Sequence, residues 1–129
     1  MKKIYLFTKL TFHFVNVILL ILYLYPGSIF GWLVYGDFQK QPSITSDFIV
    51  SSNHVYAFIV LTILGVLSVE KNKVKILYIY LFSISIILEL CHGIIPKRSF
   101  QYSDLFGNFF GVLLVFLVLN FNQYFKNRK

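Results

Sequence analysis

From Glu89 to Gly111 the chain reads ELCHGIIPKRSFQYSDLFGNFFG, and this polar stretch separates two apolar runs that resemble membrane-spanning helices. Its most notable polar side chains are Glu89, His92, Lys97, Arg98, Asp104 and Asn108. Ionisable groups at membrane depth are costly, so they are rarely there by accident. We therefore expect most of any functional site to lie in this stretch.

The composition indicates a membrane protein. Of the 129 residues, 57% are hydrophobic and only 13% are charged, and the mean hydropathy is +0.73. A soluble domain of this size cannot bury so much apolar surface. We predict an all-α integral membrane protein that forms a single domain over residues 1–129, with the lipid bilayer as its main partner.

The net charge of +7 does not point to nucleic acid, because the basic residues form short clusters at the ends of apolar runs. That distribution is typical of membrane anchoring and topology. The single cysteine, Cys91, excludes a disulfide framework and a cysteine-rich metal site. We predict no nucleic-acid partner and no cofactor.

Four apolar segments predict about four transmembrane helices with short loops, over approximately residues 10–25, 48–69, 76–91 and 105–121. The first is predicted to be retained, because no small-x-small cleavage site of a signal peptide follows it. Pro26-Gly27 breaks or kinks this helix. Residues 28–36 either continue it or form an interfacial segment, with Trp32 and Tyr35 at the level of the lipid head groups.

Counting Lys and Arg residues predicts the topology. One side holds nine: Lys2, Lys3, Lys9, Lys71, Lys73, Lys75, Lys126, Arg128 and Lys129. The other holds three: Lys40, Lys97 and Arg98. The positive-inside rule then places both termini in the cytoplasm. Glu89 lies about 21 Å beyond Lys75 along a helix, which puts it in the outer part of a hydrocarbon core ~30 Å thick.

Three helices bring polar residues to this outer level. Glu89 and His92 share one helix face at a spacing of i, i+3, and Asp104 and Asn108 share another at i, i+4. His54 lies near the outer end of the second helix. The predicted ligand-binding residues are thus Glu89, His92, Arg98, Asp104, Asn108 and His54, and Glu89 or His92 is the candidate catalytic acid or base.

Each of these residues also has a purely structural interpretation. Asp104, or Ser103 before it, could cap the fourth helix. Arg98 could bind an anion, or it could close the loop by pairing with Glu89 or Asp104. Glu89 could accept a proton or a ligand, or it could be a buried carboxylate, neutralised by His92 or Arg98, that keeps the helices in register.

The remaining polar and small residues are interpreted as structural. Gly107 and Gly111 form a small-xxx-small pair that favours close helix packing, and His13 lies away from the polar level. The tyrosines and Trp32 are expected to be interface anchors. A metal site built from Glu89, His92, His54 and Asp104 has no specific spacing, so none is predicted. The standard catalytic signatures of hydrolases and nucleotide-binding enzymes are missing.

Six short motifs carry a family resemblance: Tyr25-Pro26-Gly27, Ser52-Asn53-His54, Glu89-x-x-His92, Pro96-x-Arg98-Ser99, Ser103-Asp104-Leu105 and Asn108-x-x-Gly111. In this order, over about residues 19–117, they resemble the signature of the VanZ-like family of small bacterial membrane proteins. The family commonly has an Asp-Lys pair shortly before the histidine, where this chain has Ser51-Ser52-Asn53. His92 stands where Gln is more usual.

The resemblance implies a multi-pass protein of the bacterial inner (cytoplasmic) membrane that is linked to the cell envelope and, through the protein that names the family, to glycopeptide resistance. The leading hypothesis is binding of a polar or anionic envelope ligand, either a lipid-linked head group or a glycopeptide, at the outer-leaflet cluster. One alternative is a membrane enzyme that uses Glu89 or His92 on a lipid-linked substrate. Another is a small accessory or structural subunit of a larger membrane complex.

Overall fold

The computed structural model describes residues 2–47 and 49–126, and every regular element within these ranges is a helix. The five α-helices are α1 (Lys2–Leu24), α2 (Ile29–Tyr35), α3 (Ser52–Ser68), α4 (Val74–His92) and α5 (Tyr102–Lys126). One turn of 3-10 helix, Lys71–Lys73, precedes α4. The all-α prediction is confirmed. Phe48, the predicted start of the second long helix, lies outside the described residues, as do Arg128 and Lys129 from the topology count.

Within the described residues, three helical stretches are long and apolar enough to cross a membrane: Lys3–Leu24, Lys71–His92 and Tyr102–Asn122. The fourth predicted span corresponds to α3, which is apolar but has only 17 residues. At 1.5 Å per residue α3 is about 25 Å long, close to the ~30 Å of a hydrocarbon core.

Three helix starts differ from the predicted ones. α3 begins at Ser52 rather than 48, because Ser51 is extended and gives its amide to the Ser103 carbonyl. α1 begins at Lys2 rather than near residue 10, because residues 2–9 contain no helix breaker and lysine is itself a good helix former. α5 begins at Tyr102 rather than 105. Ser103 and Asp104 are therefore inside its first turn and not at its N-cap position. Asp104 still favours this helix end, because a negative charge there complements the helix dipole.

Residues 28–36 form a separate short helix after the break at Pro26-Gly27. The Ser28 hydroxyl accepts the Gly31 amide at 2.9 Å, which caps the start of α2, and Gly36 ends it in the left-handed conformation with φ of 67°. A Cβ on Gly31 would lie 1.7 Å from the Lys40 carbonyl oxygen, so only glycine permits this approach to the following loop. Trp32 is exposed, as expected of an interfacial residue.

The four long helices form an up-and-down bundle. α1 and α4 end, and α3 and α5 begin, at the same end of the molecule, as the contacts described below establish. α3 packs between α1 and α5, and α4 packs on α5. The core is formed by apolar side chains from all four, including Phe12, Leu19, Phe58, Leu61, Leu77, Leu81 and Val112. Large apolar side chains also cover the outer faces of the long helices, which suits contact with lipid.

Gly107 and Gly111 lie where α5 touches α3. A Cβ on Gly107 would be 2.8 Å from the Ser51 carbonyl oxygen, and one on Gly111 would be 2.6 Å from that of Val55. The small-xxx-small pair therefore serves packing within the chain. This close approach brings the start of α5 against the start of α3, where the polar residues are.

Candidate functional site

A cluster of buried polar side chains occupies the end of the bundle at which α1 and α4 end and α3 and α5 begin. We call it the polar cluster; its members are Tyr23, His54, Ser85, Glu89, His92, Asp104 and Asn108. All are buried except Asp104, whose side chain is 14% exposed. Five of the six predicted site residues are thus brought together, and the sixth, Arg98, contacts a different partner.

His54 is held by α1 and α5. Its Nδ1 atom lies 3.0 Å from the Tyr23 hydroxyl and 3.0 Å from Oδ1 of Asn108. The amide of Asn108 is oriented by its own Nδ2, which donates to the Ser85 carbonyl at 3.3 Å, and Oδ1 also accepts the Tyr23 hydroxyl at 2.7 Å. Since Oδ1 can only accept, Nδ1 of His54 must carry the hydrogen.

The other nitrogen of His54 faces Asp104. Nε2 lies 3.5 Å from Oδ2 of Asp104. Because Nδ1 already carries a hydrogen, a neutral ring has a bare lone pair at Nε2, which would face a carboxylate oxygen. Such a contact is favourable only when a proton or a cation lies between the two atoms.

Glu89 and His92 repeat this pattern one helix away. Nε2 of His92 donates to the main-chain carbonyl of Tyr23 at 2.9 Å, so a neutral ring has a bare Nδ1. Nδ1 lies 3.0 Å from Oε2 of Glu89. Although the two atoms are in contact, their alignment leaves Oε2 without a hydrogen bond of normal geometry. Oε1 accepts the main-chain amide of Gln101 at 2.8 Å, so Glu89 also satisfies an amide just before α5.

Arg98 pairs with neither Glu89 nor Asp104, although one of its structural interpretations required this. Its Nη2 donates to the Leu22 carbonyl at 2.9 Å and its Nε to that of Tyr25 at 3.3 Å. These carbonyls end α1 and have no partner within the helix, so a cation is favourable there. Burial lowers the pKa of Arg98 from its ordinary value, but a guanidinium remains charged.

Sequence reasoning missed two members of the polar cluster: Ser85, whose carbonyl accepts from Asn108, and Tyr23. As a tyrosine at a helix end it was expected to anchor at the interface, whereas the structure buries it at the centre of the polar cluster. Its ring stacks on that of His92, with centroids 5.6 Å apart, and its hydroxyl contacts two further helices. In the sequence, Tyr23 differs from the other tyrosines only in its position at the outer end of the first helix, the same depth in the membrane as the predicted polar residues.

A cleft of about 570 Å³ opens beside the polar cluster, between α1, α3 and the loop at residues 41–44. Its walls are mainly apolar: Val15, Ile18, Leu19, Leu22, Ala57 and Val60. Its polar lining includes Tyr23, His54, His92 and Arg98. Glu89, Asp104 and Asn108 do not line the cleft. This half of the predicted ligand-binding residues instead contacts the lining residues His54 and His92.

Asn53 fixes the loop that borders the cleft. Its Oδ1 accepts the Ile44 amide at 2.9 Å, and its Nδ2 donates to the Pro42 carbonyl at 2.7 Å. Ser52, which precedes Asn53, donates its main-chain amide to Oδ1 of Asp47 at 2.7 Å. This bond satisfies an amide in the first turn of α3 that has no partner within the helix. The polar residues in the first turn of α3 therefore hold the loop at residues 41–44, which forms one side of the cleft.

The arrangement suits binding better than acid–base chemistry. Both ring nitrogens of His54 and both of His92 already face a partner, so neither imidazole offers a free nitrogen towards the cleft.

His54, Glu89 and Asp104 are the group within the described residues whose potential metal-ligand atoms all lie within 4.8 Å of one another. His13, by contrast, is an exposed residue whose ring contacts Phe12, away from this end of the bundle.

Comparison of the chain with protein-family models, with curated proteins and with solved structures gives no match. The resemblance to the VanZ-like family therefore stays a prediction from the motifs.

Proposed function

We propose that this protein binds an amphiphilic envelope molecule, with the polar head group held by Arg98 at the polar end of the cleft, beside Tyr23, His54 and His92, and the apolar chain along α1 and α3. The cleft carries the proposal, because one continuous space of about 570 Å³ has mainly apolar walls and a polar lining that includes these four residues. A lipid-linked ligand needs both kinds of surface. A glycopeptide, which has no need of long apolar walls, fits the cleft less well.

Arg98 favours an anionic head group. Its two bonds to the end of α1 use only part of the donor set of a guanidinium, and the side chain also lines the cleft. A phosphate or carboxylate beside it would gain charge-assisted hydrogen bonds. The head group class we propose is therefore a phosphate-bearing or carboxylate-bearing one.

We further propose a VanZ-like protein of the bacterial inner membrane in which all four long helices cross and both termini are cytoplasmic. α3 is supported as a span by its ties at both ends. The Thr8 hydroxyl of α1 donates to the Leu67 carbonyl near the end of α3, and the Ser51 amide donates to the Ser103 carbonyl at 3.1 Å. The count of basic residues then puts the polar cluster at the outer leaflet.

Replacing Val60 with tryptophan tests the binding proposal. Val60 lines the cleft and is 51% exposed, so the larger ring can fill the cleft without overpacking the core. We expect the wild-type protein, extracted in mild detergent, to retain about one amphiphile per chain in native mass spectrometry, and Val60→Trp to lose it.

The matched control is Ile63→Trp, on the same helix and 44% exposed but outside the cleft lining. It should retain the amphiphile as the wild type does. Equal retention by the two variants, or no amphiphile on the wild type, would contradict the proposal. Stoichiometric co-purification of a second protein, with no bound amphiphile, would instead favour the accessory-subunit hypothesis.

A further inference from the structure

Three potential metal ligands from three helices converge behind the wall of the cleft. They are Nε2 of His54 on α3, a carboxylate oxygen of Glu89 on α4 and one of Asp104 on α5, and all lie within 4.8 Å of one another. The pair distance from Nε2 to Oδ2 of Asp104 is 3.5 Å. Ligand atoms around one tetrahedral zinc ion lie about 3.3 Å apart, given bonds of ~2.0–2.1 Å, so modest side-chain shifts would close the set.

A second, independent observation is the state of Glu89. Its side chain is 0% exposed, and its Oε2 has no hydrogen bond of normal geometry. Oε2 instead faces Nδ1 of His92 at 3.0 Å, and that atom is a bare lone pair when the ring is neutral. A buried carboxylate oxygen against such a lone pair is costly, and more so within a membrane-spanning stretch. Of the two counter-charges that the sequence suggested, Arg98 is engaged with the carbonyls of α1, and His92 meets Oε2 only in a misaligned contact at 3.0 Å. Glu89 therefore presents a charge that calls for a cation.

The environment of His54 fits a metal ligand as well. Ligating histidines characteristically donate their second ring N–H to an oxygen that fixes the ring and its tautomer. Here that oxygen is Oδ1 of Asn108, itself oriented by the bond from Nδ2 to Ser85. The same bond leaves the lone pair of Nε2 directed at Asp104, where an ion would have to lie.

We propose that His54, Glu89 and Asp104 form a binding site for one divalent cation of the zinc class. One imidazole and two carboxylates suit Zn²⁺ better than Mg²⁺ or Ca²⁺, which prefer all-oxygen sites. Three protein ligands leave a fourth position for water or another donor. His92 is a positioning residue, because its bond to the Tyr23 carbonyl holds the ring against Glu89. The proposal does not depend on the amphiphile in the cleft.

Metal content tests the site directly. The protein is purified in detergent with a tag that contains no histidine, stripped with EDTA and dialysed against Zn²⁺. Bound metal is counted by elemental mass spectrometry, and affinity is measured by competition with a chromophoric chelator. We expect one Zn²⁺ per chain and at least ~10-fold preference over Mg²⁺.

Asp104 is the residue to change, because Glu89 also holds the Gln101 amide and its loss could unfold the end of α5. Asp104→Asn keeps the shape and should weaken Zn²⁺ binding at least ~10-fold. Asp104→Glu, which retains a carboxylate, should bind more tightly than Asp104→Asn. His54→Gln should lose the ion, with helix content checked by circular dichroism.

The controls are Asp37→Asn and His13→Gln, which remove an exposed carboxylate paired with Lys40 and an exposed imidazole. Both should bind Zn²⁺ as the wild type does. The proposal is overturned if the folded wild-type protein holds no stoichiometric Zn²⁺, if Mg²⁺ binds equally well, or if Asp104→Asn and His54→Gln bind like the controls.

Discussion

Tyr23 joins all three of the other long helices at one point. Its hydroxyl donates to Asn108 on α5 and contacts Nδ1 of His54 on α3, and its carbonyl accepts from His92 on α4. The two histidines therefore share one tyrosine. The carbonyl of Tyr23 fixes the hydrogen of His92 on Nε2, while Oδ1 of Asn108 fixes that of His54 on Nδ1. These two assignments decide which ring nitrogen of each histidine faces its carboxylate.

Removing the hydroxyl should loosen the bundle measurably. We expect Tyr23→Phe to lower the free energy of unfolding by about 0.5–2 kcal/mol, the range of interhelical hydrogen bonds in membranes. Thermal unfolding in detergent measures the loss. Tyr35→Phe, at an exposed position on α2, is the control. Equal melting temperatures for the two variants would show that the hydroxyl contributes nothing to holding the helices.

At the scale of single residues, the sequence predicted which polar side chains belong to the polar cluster better than it predicted which groups they contact. Spacing along helices placed Glu89 with His92 and Asp104 with Asn108, because i, i+3 and i, i+4 neighbours share a face. Arg98 could not be placed, since its partners are main-chain carbonyls, which every residue possesses. Tyr23 was missed for the related reason that tyrosines at helix ends usually face the interface.

The contact between α3 and α5 depends on glycine at two positions one turn apart. At Gly111 an added Cβ would meet the Val55 carbonyl oxygen at 2.6 Å and Cβ of Phe58 at 2.8 Å. Both belong to the backbone or to the rigid base of a side chain, so neither can move alone. The two helices would have to separate, and the polar cluster lies at the end where they meet.

Gly111→Ala should therefore destabilise the protein by about 1–3 kcal/mol, the usual cost of overpacking. It should also weaken any function of the polar cluster. Chemical denaturation in mixed micelles gives the first quantity. Gly93→Ala is the matched control, because the nearest atom to its added Cβ is 3.3 Å away and its φ of −68° is ordinary. A larger loss in the control than in Gly111→Ala would refute this account of the interface.

Element boundaries were predictable only where the sequence contains a breaker. Pro26-Gly27 marks the end of α1 to within a residue or two. The start of α1 was placed too late, because lysines at a membrane surface end an apolar run without ending a helix. The start of α5 was also placed too late, since the acceptor for the Gln101 amide is Glu89, a residue from the preceding helix.

The whole molecule is an up-and-down bundle with polar residues buried at one end and apolar faces outside. In the part of the chain that the structure describes, three helices are long and apolar enough to span a membrane. The order of the spans was readable from apolar run lengths and the orientation is proposed from the lysines and arginines. The cleft was not foreseeable, because it depends on how α1, α3 and the loop at residues 41–44 meet in space.

Cysteine labelling tests the proposed orientation. In a Cys91→Ala background, a single cysteine replaces Ser99, in the loop after α4, or Asn72, in the 3-10 turn before it, and both positions are exposed. We expect a membrane-impermeant thiol reagent to label Ser99→Cys on intact spheroplasts and Asn72→Cys only after permeabilisation. The reverse pattern would place the polar cluster at the cytoplasmic leaflet and would refute the topology proposed from the positive-inside rule.

The anchoring of Arg98 to the end of α1 also has a consequence for biogenesis. The carbonyls at this end receive their side-chain donor from a residue 73 positions later in the chain. At synthesis rates of about 5–20 residues per second, the end of α1 waits for roughly 4–15 s. During that interval the end of the nascent first helix lacks this side-chain donor, so its carbonyls depend on water until Arg98 has been made.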